Sequence, residues 1–137
     1  MDEIDLKILE ILKKDGRKPF VEIGKELGLS EGAVRRRIRL LQERGVIKRF
    51  TVELSKDYVI NAVTFISFEK GNLVKDLVDR LASLPSIESV YELTGRFDAM
   101  VMISAKNISD LNRCVDEIRR LDGVRDTETA VILRVVK

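Results

Sequence analysis

Apolar residues recur every three or four positions in three segments of the first third of the chain, which is the spacing of one helix face. The spacing predicts a first helix that Gly16 ends, a second that starts at Pro19 and a third that runs from the N-cap Ser30 to Gly45. Gly28 allows a positive-φ turn between the second and third helices. These features predict a small three-helix bundle.

The third predicted helix has two different faces. Val34, Ile38 and Leu41 share a narrow apolar sector, and Gly24 on the second helix gives a small contact point where the helices cross. The roughly opposite side carries Gly32, Arg35, Arg36, Arg39 and Glu43. A capped second helix after a tight turn, with basic residues on its outer face, is typical of a DNA-binding helix-turn-helix motif.

The basic residues are concentrated where that motif lies. Residues 29–50 contain seven Lys or Arg against two Glu, which makes phosphates a natural counterpart. A merely solvated arginine face is the alternative, but the cap and the turn favour DNA binding. Arg37 lies at the flank of the apolar sector, where pairing with an acidic residue, phosphate contact and base contact are all open. The predicted DNA-binding residues are Ser30, Glu31, Gly32, Arg35, Arg36, Arg37, Arg39, Lys48 and Arg49.

Residues 46–53 alternate in polarity, which predicts a short strand or wing. Lys48 and Arg49 either reach flanking phosphates from it or form a solvated edge. The pattern breaks over 54–58, so we expect a helix-turn-helix domain over 1–53, a linker over 54–60 and a second domain over 61–137.

The second domain reads as β-α-β-β-α-β. Its expected strands span 62–69, 87–94, 99–105 and 124–136, and its expected helices span 73–84, beginning at Leu73, and 107–121, capped by Asn107. Strict alternation places Ile87, Ser89 and Tyr91 on one side, and Ile108 is expected on the core face of its helix. This order predicts an α+β, ferredoxin-like domain with both helices on one side of the sheet. The open apolar face would favour a partner subunit.

Composition narrows the function classes. The 137 residues are 45% hydrophobic, and the charge is +3 up to Tyr58 and −1 after it. The lack of histidine, with Cys114 as the one cysteine, excludes zinc fingers and Cys-His catalysis, so no metal, cofactor or enzymatic activity is expected, and Cys114 is expected in the core. Without a secretory or membrane-spanning segment, the expected location is the cytoplasm. The 35% charged residues and single Gln resemble proteins from hot environments.

The chain resembles the Lrp/AsnC, or feast/famine, family of bacterial and archaeal transcription regulators. The resemblance covers nearly the whole length and rests on DEIDLKILEILKKDGR, EIGKELGLSEGAVRRRIRLLQERGVIKRFTVEL, ELTGRFDAMVMI and GVRDTETAVIL. It implies a winged helix-turn-helix that binds double-stranded DNA and a regulatory sheet domain that forms homodimers, often four to an octamer. Leu40 and Pro19 depart from residues that relatives often carry there.

The resemblance also implies an amino-acid effector bound between dimers near residues 94–98. Gly95 and Asp98 match the family's glycine and aspartate, and Asp98 would hold an ammonium group. The alternative is an ordinary hairpin turn whose Asp bonds backbone amides. The candidate effector residues are Thr94, Gly95, Arg96, Phe97, Asp98, Thr127 and Thr129.

Three other functions stand against a sequence-specific regulator. Compaction of DNA without sequence preference would use the same arginines. A haem-biosynthesis decarboxylase of the same architecture is thought to use histidine, which this chain lacks. RNA binding through the sheet would need paired aromatic residues, and Phe65 and Phe68 are not set in such a string.

Overall fold

The computed structural model describes residues 1–71 and 74–137, which form two compact units, Met1–Glu53 and Leu54–Lys137. The first unit contains helices α1 (Glu3–Lys14), α2 (Phe20–Leu27) and α3 (Glu31–Glu43). The second contains a 3₁₀ turn (Lys56–Tyr58), β1 (Ile60–Phe68), α4 (Val74–Ala82), β2 (Ile87–Glu92), β3 (Ala99–Ala105), α5 (Ile108–Arg120) and β4 (Val124–Val131). The predicted α+β class and the predicted β-α-β-β-α-β order of the second unit are confirmed. No helix among the described residues has the length and apolar character needed to cross a membrane.

The core of the first unit lies where the three helices meet. Ile8 of α1, Ile23 of α2, and Val34 and Ile38 of α3 are fully buried, with at most 2% of each residue exposed. The apolar sector predicted for α3 therefore faces the bundle, which leaves the arginine-bearing side of α3 in solvent.

The turn between α2 and α3 depends on two glycines. Gly28 has a φ of 71°, and the Ser30 hydroxyl accepts a hydrogen bond of 3.1 Å from the Ala33 amide, so both predicted roles are confirmed. Gly24 has a different role from the one expected. A Cβ on Gly24 would lie 2.3 Å from the carbonyl oxygen of Leu29, so the turn itself, not a helix crossing, excludes a side chain here.

The strand predicted over residues 46–53 is absent. Ile47 packs against the helical core, whereas Val46, Phe50 and Val52 are exposed. The alternating pattern is real, but the first unit has no other strand to accept its backbone hydrogen bonds, and an isolated strand is not stable in water. The wing is therefore not formed within one chain.

The second unit is a four-stranded antiparallel sheet in the order β2-β3-β1-β4. The cross-strand pairs Ala62 with Ile103 and Ile66 with Ala99 belong to one face, and that face packs against both α4 and α5. The buried helix residues in this core are Leu77, Leu81, Leu111, Cys114, Val115 and Ile118. This arrangement confirms the ferredoxin-like prediction and the core position of Cys114, where burial raises the pKa of the thiol.

A bulge makes the predicted alternation in β2 wrong. Ile87 pairs with Ile103, and Ser89, two positions further along β2, pairs with Met102, which is the immediate neighbour of Ile103 on β3. Glu88 is therefore an extra residue in β2. The bulge puts Ile87 on the core face and Ser89 on the opposite one, although strict alternation places them together.

Two further expectations for the second unit are wrong, and a third lies outside the described residues. Ile108, expected in the core, begins α5 and is 53% exposed, because a helix face is buried only where another layer covers it. The last strand ends at Val131, five residues before the predicted end. Leu73, the expected start of α4, lies outside the described residues.

The sheet face opposite α4 and α5 carries apolar side chains, as predicted. Val63 pairs with Met102, and Phe65 pairs with Met100, which in turn pairs with Tyr91. The first four are half-buried and Tyr91 is 47% exposed. No element of the described second unit covers this face.

Candidate nucleic-acid interface and effector loop

The outer side of α3 presents the predicted arginines to solvent. The N-cap Ser30 and the following residues Glu31 and Gly32 are exposed. The exposed arginines of this face are Arg35, Arg36 and Arg39. Because α3 buries its apolar sector, its basic side is available to a duplex.

Two of the three outward arginines are held by acidic residues of α3. Arg35 lies 2.5 Å from Glu31, and its guanidinium also lies 5.7 Å from the centre of the Phe20 ring. Arg39 lies 3.7 Å from Glu43. Exposed pairs of this spacing contribute only about 0.3–0.5 kcal/mol, so phosphates can displace the glutamates at small cost.

Arg36 differs from these two. It is exposed and makes no ion pair or side-chain hydrogen bond with any described residue. Arg44, Lys48 and Arg49 are likewise exposed and without an ion pair in the described part of the chain. Arg36 is therefore the cation of α3 that a duplex reaches without displacing a protein partner.

Arg37 pairs with acidic residues of α1, one of the alternatives left open by the sequence. Its Nη1 donates to Asp2 Oδ2 at 2.7 Å and to Asp5 Oδ1 at 3.1 Å. The bond from Arg37, followed by the bond from the Asp5 amide, holds the pKa of Asp2 below its ordinary value. The side chain of Arg37 is 29% exposed, so part of it remains at the surface.

The pairing of Arg37 with Asp2 and Asp5 was not predicted from the sequence. Asp2 accepts from the Asp5 amide at 2.9 Å, and Asp5 accepts from the Asp2 amide at 3.2 Å, which is a reciprocal capping box at the start of α1. An acidic N-cap followed three residues later by a second acid was the available signal. The two aspartates line a cleft of about 510 Å³ together with Arg36, Arg37, Leu40 and Arg44.

The loop of the predicted effector site closes the β2-β3 hairpin. Gly95 has a φ of 102°, which explains the glycine. The carboxylate of Asp98 accepts from the Phe68 amide at 2.7 Å, and the Asp98 amide donates to the Ile66 carbonyl at 2.9 Å. One carboxylate oxygen of Asp98 thus ties the loop to β1, as the hairpin-turn alternative expected.

Only part of the predicted effector set lies around one pocket. Arg96, Phe97 and Thr127 line a pocket of about 370 Å³ with Ser67, Arg125, Asp126 and Glu128. Thr94, Gly95 and Asp98 belong to the same loop but do not line it. Thr129 is half-buried, its hydroxyl lies 2.8 Å from that of the fully buried Thr64, and it does not line the pocket.

Rings and arginines shape the wall of this pocket. The Phe97 ring centre lies 5.3 Å from that of Phe65, and the Arg96 guanidinium lies 5.3 Å from the Phe97 ring. Arg125 pairs with Asp126 at 3.2 Å. The pocket therefore presents both signs of charge beside an aromatic surface.

Comparisons with known proteins agree with this architecture. Residues 1–42 match the AsnC-type helix-turn-helix domain, and residues 61–137 match the Lrp/AsnC ligand binding domain. The transcriptional regulator LysM of Saccharolobus solfataricus is 43% identical over 98% of this chain and 94% of its own length. The regulator FL11 of Pyrococcus furiosus is 40% identical over 100% of this chain and 92% of its own.

A solved structure shares the fold. A transcriptional regulator of Neisseria meningitidis, crystallised as its complex with L-Met, matches with a TM-score of 0.85 and 24% identity, covering 100% of this chain and 92% of that one. The two domain matches, over residues 1–42 and 61–137, and the 43% identity to LysM over 98% of the chain show which family the chain belongs to. This chain is a member of the Lrp/AsnC family of transcriptional regulators, with an AsnC-type helix-turn-helix domain followed by a Lrp/AsnC ligand binding domain.

Proposed function

We propose that this regulator binds double-stranded DNA through α3, which enters the major groove with its arginines toward the bases and phosphates. The observation that carries the proposal is the exposed Arg36, which has no ion pair with any described residue, whereas Arg35 and Arg39 form ion pairs with glutamates of their own helix. The arginine fork matches the O6 and N7 acceptors of guanine, which is why Arg36 is the proposed base contact.

The remaining predicted residues have supporting roles. Arg35 and Arg39 exchange Glu31 and Glu43 for phosphates on binding, while Ser30 and Gly32 allow close approach of the N-terminus of α3. The exposed Lys48 and Arg49 are proposed contacts to flanking phosphates.

The protein acts as a homodimer in this proposal. The apolar sheet face of Val63, Phe65, Met100, Met102 and Tyr91 is the proposed dimer surface, because leaving it in water would be unfavourable. Dimers place two copies of α3 on a roughly palindromic site. Four dimers assembling into an octamer follows the family resemblance.

An amino acid modulates DNA binding in this proposal. Support comes from the match of residues 61–137 to a ligand binding domain and from the L-Met complex of the Neisseria regulator. The pocket beside Arg96, Phe97 and Thr127 is the proposed position, since opposite charges there suit a zwitterion. We propose a regulatory role in the cytoplasm with no catalytic step.

Selection from a random pool of duplex DNA tests the proposal, performed with and without a mixture of the twenty amino acids. We expect one enriched, roughly palindromic sequence and a change in its affinity when amino acids are present. Retention of the pool without enrichment, at a stated salt concentration, would instead identify a DNA-compacting protein. Enrichment unaffected by amino acids would remove the effector.

A further inference from the structure

We propose that Arg37 is a positioning residue: with Asp2 and Asp5 it forms a clasp that fixes α3 on α1 and so orients Arg36 for reading DNA. We define the clasp as these three side chains. The inference rests on the proposed DNA-binding role of α3, and it assigns to Arg37 a different task from the phosphate or base contact predicted for it.

The geometry joins one nitrogen to two carboxylates. Arg37 Nη1 donates to Asp2 at 2.7 Å and to Asp5 at 3.1 Å, although these residues lie 35 and 32 positions away in the chain. The side chain of Asp5 is only 12% exposed, so this part of the clasp is shielded from water. Charge-assisted hydrogen bonds with little exposure hold their geometry better than surface pairs do.

The carboxylates are themselves fixed. Asp2 and Asp5 each accept a hydrogen bond from the backbone amide of the other, so the capping box holds both carboxylates in place without Arg37. The clasp therefore links the rigid first turn of α1 to the middle of α3. Beneath it, Ile8 of α1 and Val34 and Ile38 of α3 belong to one buried apolar cluster, and the clasp adds a directional polar link between the two helices to this contact.

Arg36 is the adjacent residue on α3 and lines the same cleft as Asp2, Asp5 and Arg37. Any rotation of α3 that breaks the clasp therefore moves Arg36. Reading a base requires the side chain to be held within a fraction of an ångström, whereas attraction to phosphates does not. The clasp should accordingly govern discrimination between sequences more than general affinity for DNA.

Two variants of the full chain separate positioning from direct contact. Asp2→Asn removes a charge of the clasp but keeps the N-cap, because Asn caps as well as Asp. The double variant Asp2→Asn with Arg37→Met breaks the clasp and leaves the net charge of the chain unchanged. Arg49→Met, at an exposed arginine proposed to contact a phosphate, is the matched control for a direct DNA contact.

The measurements are dissociation constants for the duplex selected above and for a scrambled duplex, over a series of salt concentrations. For the double variant we expect the preference for the selected duplex to fall about tenfold, within the discrimination that one arginine-guanine pair supplies. The slope of log Kd against log salt should stay at the wild-type value. For Arg49→Met that slope should fall by about one, because one phosphate contact is lost.

A double variant that keeps its sequence preference would overturn the positioning role, and so would a salt slope that falls as in Arg49→Met. If circular dichroism shows that the double variant is unfolded, the single variant Asp2→Asn tests the positioning role instead. The clasp predicts a reduced preference, whereas a phosphate-contacting Arg37, freed from Asp2, predicts tighter binding to both duplexes with the preference unchanged. If wild-type protein selects no sequence, it is the DNA-reading proposal that fails.

Discussion

The polar residues of α3 were predicted as binding groups from helical periodicity, and those of the 94–98 loop and Thr129 from the family resemblance, and the structure uses the two sets differently. Arg36 is exposed and unpaired among the described residues, whereas Asp98 accepts from the Phe68 amide and Thr129 bonds the buried Thr64. A helix with one buried face forces its other face outward. A loop imposes no such rule, and its polar groups first satisfy the fold.

The largest expected effect is on DNA binding and comes from substituting the exposed Arg36 of α3. Arg36→Ala should weaken binding to the selected duplex by roughly 1–3 kcal/mol, because it removes a base contact, and should leave the free energy of unfolding unchanged. Fluorescence anisotropy and chemical denaturation measure the two quantities. Arg120→Ala, an exposed arginine of α5, is the control. Wild-type affinity in Arg36→Ala would remove this residue from the interface.

The outward position of α3 depends on the turn before it. Gly24→Ala should destabilise the protein by about 1–3 kcal/mol, because the new Cβ would meet the Leu29 carbonyl. Gly32→Ala is the matched control: nothing lies within 4 Å of its Cβ, and alanine there should stabilise the helix by about 0.5–1 kcal/mol. Equal stabilities of the two variants would refute this account of the turn.

In the 94–98 loop, unlike at Arg36, we expect substitution of a polar residue to lower the stability of the protein. Asp98→Ala should lower the free energy of unfolding by about 1–2 kcal/mol, since the Phe68 amide loses a charged acceptor. Chemical denaturation without added amino acids measures the loss. Glu128→Gln, an exposed residue at the same pocket, should leave stability unchanged. An Asp98→Ala protein of wild-type stability would mean that Asp98 serves ligand binding alone.

The smallest effect concerns pH. Because Arg37 lowers the pKa of Asp2 in the folded state, the ionised carboxylate stabilises the fold above its unfolded pKa of about 3.9, and this contribution disappears as the pH falls through the lower folded value. Thermal unfolding below about pH 4 should therefore separate wild type from Asp2→Asn less than at neutral pH. Glu10→Gln, on the exposed side of α1, is the control. A constant difference at all pH values would contradict the linkage.

Local patterns predicted most of the fold because each depends on neighbours in the chain. The cap at Ser30, the turn at Gly28 and the cap at Asn107, which accepts from the Asp110 amide at 2.8 Å, are confirmed. The missing strand over 46–53 and the extra residue Glu88 were not predictable in this way. A strand exists only if another strand pairs with it, and register is a property of the pair.

The candidate site shows the same division. Helical periodicity placed Arg35, Arg36 and Arg39 on the outer face, where they lie. The partners of Arg37 lie more than thirty residues away on α1, and the partner of Thr129 lies on another strand. Distant partners of this kind decide whether a polar group is available for binding, and no spacing along the chain specifies them.

Chemical modification of arginines followed by mass spectrometry tests the central claim most directly, because it examines both regions in one sample. The protein is treated with phenylglyoxal in two parallel reactions, one without DNA and one with the protein bound to the selected duplex. We expect DNA to protect Arg36 strongly while Arg96 and Arg125, beside the sheet pocket, remain as reactive as before. Protection of Arg96 and Arg125 with an unprotected Arg36 would contradict the assignment of DNA reading to α3.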